Sequence, residues 1–503
     1  MSWQTIHIPP GLIRGNSPYE TPNRWYDMNL VRWDGEFMRP VGGWQRLTSS
    51  PLAGAVRKIH PYRSNSFSRQ VLVGTDDKLY ADQGTYADIT PAGLVPLSSI
   101  GVAGGYGTFD YGEEAFGTAR SAPSPVFSPY AYWTFSNWGE DVFCCANSDG
   151  RLWYYDTSAP TTPPTVVSGA PIGISATIVT EERHVMVLAP NEGPNPRPYR
   201  VAWCSRENFN DWNFSSTTNT AGFQDLPARS PVLKPVRVGE GILIFTRSEV
   251  FLSHYVGQPF VYGFRWLGGT AMLHPDSIAT FNGQAVWLDR TGFKIYKGGI
   301  VQPLDCPLMG AIRAEADPLY TQFRVHACHH GGAQEVWFFY PSLGNRECNR
   351  YVVWNYASNT WYWGYLSRSA MSPAEIWQYP YMGAATGHMF QHEDGWSDAG
   401  RPRFQNIFIE SGMLDLPSDF NQAMVSGGAG FDNVGMTFRT SRTYQGTERV
   451  FGPYYGRSNG YYDTRVSGRF GRVRLAPRRD GDWSANTLKL DTASNLAAMT
   501  DGR

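Results

Sequence analysis

One hairpin cassette recurs along the chain: an apolar β run, a short polar turn and a second run carrying an aromatic. Residues 71–80 read VLVGTDDKLY, 142–155 VFCCANSDGRLWYY, 242–252 ILIFTRSEVFL, 285–296 AVWLDRTGFKIY and 336–354 VWFFYPSLGNRECNRYVVW, with 384–390 (AATGHMF) a weaker copy. Successive copies start tens of residues apart, the spacing of four-stranded units. A hairpin with one apolar face cannot bury that face alone, whereas stacking around an axis lets each copy cover its neighbour. The pattern predicts an all-β chain built on a β-propeller-like domain. It also predicts that Leu79, Trp153, Phe245, Phe251, Trp287 and Trp337 belong to the core. Propellers serve widely as platforms, so an enzymatic reading needs residues of its own.

Composition agrees with many short strands. Aromatics make up 15% of the 503 residues, and 53 Gly and 35 Pro punctuate the rest. Charged residues are 17%, against about a quarter in ordinary soluble chains. So few charges imply a surface partly covered by other subunits. The net charge of −1 gives no general attraction to nucleic acid or anionic membrane. No apolar run is long enough for a membrane-spanning helix, and residues 1–15 lack the pattern of a signal peptide. Synthesis in a cytoplasm is expected, with the six Cys as buried thiols, since none forms a C-x-x-C pair.

Three regions follow. Residues 1–50 read as an N-terminal arm or subdomain, rich in Pro and aromatics with few periodic strands. Residues 51–395 hold the cassettes, with a Gly/Ser/Pro-rich loop insertion near 101–129 and a connector at 159–171. The pattern changes over residues 396–503, where longer alternating strands at 407–414, 435–444 and 469–475 predict a β-sandwich. Helix is scarce; residues 307–316 have room for a turn or two.

Several residues invite a chemical reading. Residues 147–153 (NSDGRLW) approach an Asp-box, which is a turn stabiliser in which the Asp accepts backbone N–H groups. His326, Cys328 and His330 alternate on one face of a predicted strand, and imidazole and thiolate suit zinc. A straight strand spreads same-face neighbours about 6–7 Å apart, however, too far to share one ion, so packing is the expected role. Glu181-Glu182, Asp289 and Glu393-Asp394 are candidate carboxylates for a glycosidase pair, which needs a separation of about 5–10 Å. Acidic residues at turns are ordinarily solvated. No nucleophile elbow, P-loop or dinucleotide fingerprint is present. The chain reads as a non-enzyme without cofactor, metal or catalytic residues.

Two segments carry more than fold class. Residues 24–44 read RWYDMNLVRWDGEFMRPVGGW. Residues 199–226 read YRVAWCSRENFNDWNFSSTTNTAGFQDL, followed by a Gly-Glu-Gly turn and ILIFTRSEVFL. Together with 468–483 (GRFGRVRLAPRRDGDW), they resemble the tail hub or nozzle proteins of short-tailed bacteriophages, a group that includes the packaged-DNA stabilisation proteins. The resemblance runs through most of the chain in order, on loose patterns. It implies a structural virion protein in the virion tail, assembled in the host cytoplasm. Six copies would form a ring below the portal and its head-to-tail adaptor ring, enclose the path of the genomic DNA and attach tail fibre or needle proteins. It brings no catalytic residues. The rival expectation is a glycan-binding or glycan-cleaving propeller that recognises the host receptor, with exposed Trp stacking on sugars.

Residues 438–479 hold ten Arg, no Lys and two acids, Glu448 and Asp463, with five Tyr between them. A solvated face, a phosphate-binding surface and a protein–protein contact all remain open. Absence of Lys favours the last, because planar bidentate pairing needs a guanidinium and phosphate binding does not. A conduit that must release DNA also gains nothing from a cationic grip. Arg439, Arg442, Arg465, Arg469, Arg472 and Arg474 are therefore the candidate subunit-interface residues.

Overall fold

The computed structural model describes residues 3–82, 84–99, 130–192, 195–374, 376–416, 419–426, 430–457 and 460–491. The expected insertion at 101–129 lies outside the described residues. Seven four-stranded antiparallel sheets follow one another along the described chain. Blade 1 is built from Val56–Arg63, Arg69–Thr75, Leu79–Asp82 and Tyr86–Asp88. Blade 2 uses Trp133–Trp138, Asp141–Ala146, Trp153–Tyr155 and Thr165–Val166, and blade 3 Ala176–Val179, Val185–Leu188, Arg200–Trp203 and Gly222–Asp225. Blade 4 comprises Val232–Val238, Gly241–Thr246, Glu249–Gly257 and Val261–Gly269. Blade 5 comprises Ile278–Phe281, Gln284–Asp289, Gly292–Lys297 and Ile300–Leu304. Blade 6 has His326–His330, Glu335–Tyr340, Arg350–Asn355 and Thr360–Tyr365. Blade 7 has Ala370–Met371, Tyr381–Gly383 and Met389–His392, and takes its fourth strand, Trp44–Arg46, from near the N-terminus.

The first strand of each blade touches the first strand of the next, and blade 7 returns to blade 1. The sheets thus close into a ring, a β-propeller. Aromatic rings join neighbouring blades: Phe245 meets Trp287 edge-on at 5.0 Å and Phe293 meets Phe338 at 4.9 Å. Trp133 donates its indole N–H to the Thr75 carbonyl at 2.9 Å, where Gly74 leaves room for the ring. The cassettes occupy the second and third strands of blades 1, 2, 4, 5 and 6, and the weaker copy covers the turn and the start of the third strand of blade 7. The six expected core residues are all buried, none more than 3% exposed. Blade 3 carries no cassette because residues 189–199, which include a small hairpin of their own, separate its second and third strands.

The remaining strands form two facing sheets. One runs in the order Trp3–Ile6, Thr487–Asp491, Asp419–Ser426, Tyr461–Ser467. The other runs Trp25–Asn29, Phe408–Ser411, Phe470–Pro477, Val434–Ser441, Arg449–Tyr455, with Leu414–Asp415 also on Phe470–Pro477. Strand Phe470–Pro477 alternates strictly. Gly471, Val473, Leu475 and Pro477 are buried, while Arg472 and Arg474 lie on the opposite face. Phe420 against Phe438, at 5.1 Å, joins the sheets into a sandwich.

Residues 1–50 hold more strands than their sequence suggested. Trp3–Ile6 and Trp25–Asn29 enter the two sandwich sheets, Val31–Asp34 and Phe37–Pro40 form a hairpin, and Trp44–Arg46 completes blade 7. Each is short, and all but the Val31–Asp34 and Phe37–Pro40 hairpin pair with partners far along the chain, where no local signal marks them. Between blades 5 and 6 lie two short helices, α1 (Met309–Glu315) and α2 (Thr321–Arg324).

Truncating a buried large aromatic to Ala costs about 3–5 kcal/mol. Phe245→Ala and Trp337→Ala should therefore each lower the denaturant midpoint sharply in an equilibrium unfolding experiment. A wild-type midpoint for either would contradict their place in the ring core.

Candidate functional site

The segment 24–44 fastens propeller and sandwich together. Asn29 sits between them: its amide donates to the Asn406 carbonyl at 2.7 Å, and its side-chain oxygen accepts the Tyr365 N–H at 2.6 Å. Asp27 accepts the Trp363 indole at 3.1 Å and pairs with Arg14 at 3.2 Å. The Tyr351 hydroxyl accepts the Leu30 N–H at 2.9 Å. Arg32 reaches both Glu335 of blade 6, at 3.2 Å, and Glu393 just past blade 7, at 2.6 Å. Buried Glu335 also accepts the Trp337 indole and the Tyr362 hydroxyl. Trp44 donates to Asp398, and Arg403 donates to the carbonyls of Val41 and Trp396. Burial acts to raise the Glu393 carboxyl, but Arg32 and His330 override it and hold that group well below the ordinary carboxylate range.

These contacts decide the candidate carboxylates. Glu393 is engaged by Arg32 and the Gly42 N–H. Asp289 is buried and accepts from Thr270, Ala271, Thr291 and Lys294. Glu182 accepts from Tyr262, and exposed Glu181 lies 3.7 Å from Arg237. They are distributed over blades 3, 5 and 7. Asp149 caps its own turn, accepting the Trp153 indole at 2.8 Å and the Val95 N–H at 3.0 Å. His326, Cys328 and His330 share the first strand of blade 6, where His326 stacks on Phe339 and His330 lies 3.8 Å from Glu393. Among the described residues no group of three or more His, Cys, Asp or Glu is placed to hold a metal.

Charged side chains cross the middle of the ring. Lys234 of blade 4 pairs with Asp276, which leads into blade 5, at 3.0 Å, and Lys58 of blade 1 lies 3.5 Å from the same carboxylate. Blades 1 and 4 are not neighbours, so this chain of contacts spans the axis. His274 beside it accepts the Asp276 N–H at 3.0 Å. Burial pushes the imidazoles of His274 and His326 down to about 3, and that of His60 to about 4.

The arginine run is divided between the two sandwich sheets: Arg439, Arg449, Arg472 and Arg474 lie on strands of the larger sheet, and Arg465 lies on Tyr461–Ser467 of the smaller one. Arg472 pairs with Glu410 and Glu448, both at 2.8 Å, and Arg474 lies 3.5 Å from Glu410 and 3.8 Å from the Phe408 ring centre. Arg469 stands 3.8 Å from Asp415, with both side chains exposed. Arg439 is half-buried opposite Arg472 in the strand register, and its Nε finds no hydrogen-bond partner among the described residues. Arg442, Arg449 and Arg465 are exposed and form no ion pair among the described residues. The six candidates thus divide. Arg472 and Arg474 hold partners within the chain, chiefly Glu410, which is distant in sequence. Arg442 and Arg465 form no ion pair among the described residues, and neither does Arg449, which was not among the six candidates. Tyr444 and Val450, 52% and 63% exposed, lie close to Arg442 and Arg449 in the chain.

No family model matches the chain, and neither does any curated protein. Among solved structures the chain is similar to the WD40 domain of Neurospora crassa Pan2, at 10% identity over 72% of this chain and 96% of that one, with a TM-score of 0.40. It is also similar to the β-propeller domain of Myceliophteria thermophila Cps50 (Swd1), at 8% identity over 71% of this chain and 99% of that one, with a TM-score of 0.38.

The buried imidazoles make stability depend on pH. An unfolded imidazole titrates near pH ~6.5, so below that pH the unfolded chain binds protons that buried His60, His274 and His326 refuse. Their contribution to stability is complete above that pH and falls as the pH drops towards the folded values of about 3 to 4. Carboxylates held low by the fold, such as Asp276 and Glu393, act only below about pH 4. The denaturant midpoint should therefore decline between about pH 7 and 4.5, and His326→Phe, which keeps the ring on Phe339, should shrink the decline. A flat profile in wild type would contradict it. On the sandwich, Arg472→Ala should destabilise by about 1–3 kcal/mol, because it strips partners from the buried Glu410 carboxylate. Arg442→Ala and Arg465→Ala should stay within about 0.5 kcal/mol, as exposed sites do. Equal effects in thermal melts would erase the distinction.

Proposed function

We propose that this chain is the tail hub or nozzle subunit of a short-tailed phage. Six copies form a ring beneath the portal and head-to-tail adaptor, and the genome leaves through the space they enclose. The observation that carries the reading is the position of segment 24–44, one of the segments that bear the resemblance to that family. It ties blades 6 and 7 to the sandwich through Arg32, Asn29 and Trp44, and so yields a stiff composite subunit. A wall around pressurised DNA needs that stiffness more than it needs a reactive site. The contacts among Lys58, Asp276 and Lys234 across the propeller axis support a conduit between subunits, not through the propeller. Exposed Arg442, Arg449 and Arg465, which form no ion pair among the described residues, suit contact with a neighbouring copy or tail protein. Residues 438–479 carry +8 (ten Arg against two acids), so the rest of the chain carries −9 of the total −1 and can supply acidic partners. Fibres or a needle would attach to the outer surface.

A glycan-binding propeller is favoured by one feature, Trp266 on the outer strand of blade 4, which is 58% exposed.

Electron microscopy of the purified chain, alone and with the adaptor ring, separates the two. Six-fold rings are expected, and Arg442→Glu/Arg449→Glu/Arg465→Glu should abolish them while leaving the melting temperature unchanged. A monomer or trimer that binds oligosaccharide, with Trp266→Ala removing that binding, would overturn the hub assignment.

A further inference from the structure

An open recess of about 840 Å³ lies where blades 6 and 7 meet the sandwich. Tyr365 ends blade 6, Arg368 leads into blade 7, Arg46 lies on the closing strand of blade 7, and Asp398 and Arg401 come from the chain that follows it. Three arginines therefore line the recess with one carboxylate, and none of the three forms an ion pair among the described residues. Asp398 accepts the Trp44 indole. Arg46 and Arg401 are exposed, whereas Arg368 is 7% exposed. The Arg368 guanidinium donates to His392 Nε2 at 2.9 Å and to the Ser367 carbonyl at 2.8 Å. Burial, helped by Arg368 itself, holds the His392 imidazole well below its ordinary value, so that ring stays neutral and brings no counter-charge. Burial also disfavours the charge on Arg368, and Asp398 alone acts the other way. A guanidinium taken out of water without a carboxylate on it is costly, and an anion in the recess beside it relieves that cost.

Charge selects the occupant. Three guanidinium groups against Asp398 leave the recess at +2. A carboxylate or a nucleic-acid phosphodiester brings one negative charge, whereas a phosphate monoester brings about 1.5–2 near neutral pH. The fork of a guanidinium also matches phosphate oxygens two at a time. Size excludes a bare ion, because about 840 Å³ falls within the ~300–1,000 Å³ of small-molecule sites. One wall is a ring: Tyr365 is 53% exposed, and the Arg350 guanidinium covers it from one side at 3.6 Å from the ring centre. The other side is open to a stacked base. We propose that the recess binds a nucleoside monophosphate, with Arg46 and Arg401 on the phosphate, the charge of Arg368 behind it and the base on Tyr365. Arg368 needs no direct contact, since its charge acts across the low-dielectric wall. The site does not depend on the hub reading, because it is built from the propeller–sandwich junction of a single chain.

The probe is adenosine 5′-monophosphate, titrated into the full chain by calorimetry, with adenosine, ribose 5-phosphate and a short DNA duplex as comparisons. The monophosphate should bind and raise the melting temperature. Ribose 5-phosphate should bind about tenfold more weakly for want of the stacked base, and adenosine not measurably. Arg46→Gln and Arg401→Gln should each weaken binding about tenfold, the loss of one charge-assisted contact, and leave the melting temperature of the free chain unchanged. Tyr365→Ala should bring the monophosphate down to the level of ribose 5-phosphate, and Tyr365→Phe should keep the difference. No binding of the monophosphate, or adenosine or ribose 5-phosphate binding as tightly as the monophosphate, would overturn the proposal. Binding undiminished in Arg46→Gln/Arg401→Gln would also overturn it, by placing the ligand elsewhere. A DNA duplex that displaces the monophosphate would do so too, by making the recess a nucleic-acid contact.

Discussion

A ring of sheets must be closed, and here the closing strand comes from the far end of the chain. Trp44–Arg46 lies opposite Phe390–His392, so blade 7 is complete only when the chain's beginning meets the end of the propeller. Closing so long a loop is less costly than intuition suggests, since each doubling of length adds only about 0.6 kcal/mol. The strand also arrives with neighbours: Trp44 stacks on His392 at 5.0 Å and lies under the guanidinium groups of Arg368 and Arg403. Closure therefore buries aromatic area and pairs charge in the same step. Every blade contact depends on it, because an open ring would leave two blades with an uncovered face.

The same stretch of chain fixes where the sandwich sits. To reach blade 7 the chain must first leave the sandwich sheet at Trp25–Asn29 and turn through the Val31–Asp34 and Phe37–Pro40 hairpin. Arg32 on that hairpin is partly buried between Glu335 of blade 6 and Glu393 just past blade 7. A guanidinium in that position is stable only if both partners are present, which makes the junction a registered one instead of a greasy contact. Sandwich and propeller thus share one continuous apolar cluster, running from Phe438 and Leu475 through Trp25 and Leu30 to Trp337 and Tyr351.

A chain with few charges has placed many of them inside. Lys58, Lys234 and Asp276 cross the ring axis, Arg57 holds Asp76 and Glu347, and Arg472 holds Glu410 and Glu448. Arg442, Arg449 and Arg465 of the sandwich remain exposed and without an ion pair among the described residues.

The sequence determined what is local. Alternation and short turns specify a hairpin from its own residues, so six of the seven blades, the alternating strand Phe470–Pro477, the Asp149 turn and the buried Trp287 and Trp337 could all be read in advance. The third blade could not, because residues 189–199 interrupt its hairpin and dissolve the signal. Nor could the strands of residues 1–50, which are three to five residues long and mostly find partners hundreds of positions away. The candidate site divides on the same line. Composition marked the arginines, but which of them are paired within the chain depends on Glu410, brought beside Arg472 and Arg474 only by strand pairing within the larger sandwich sheet. Hydrophobic periodicity is a property of neighbours in the chain, whereas burial, pairing of charge and the shape of a cavity are properties of neighbours in space, and only the tertiary structure decides those.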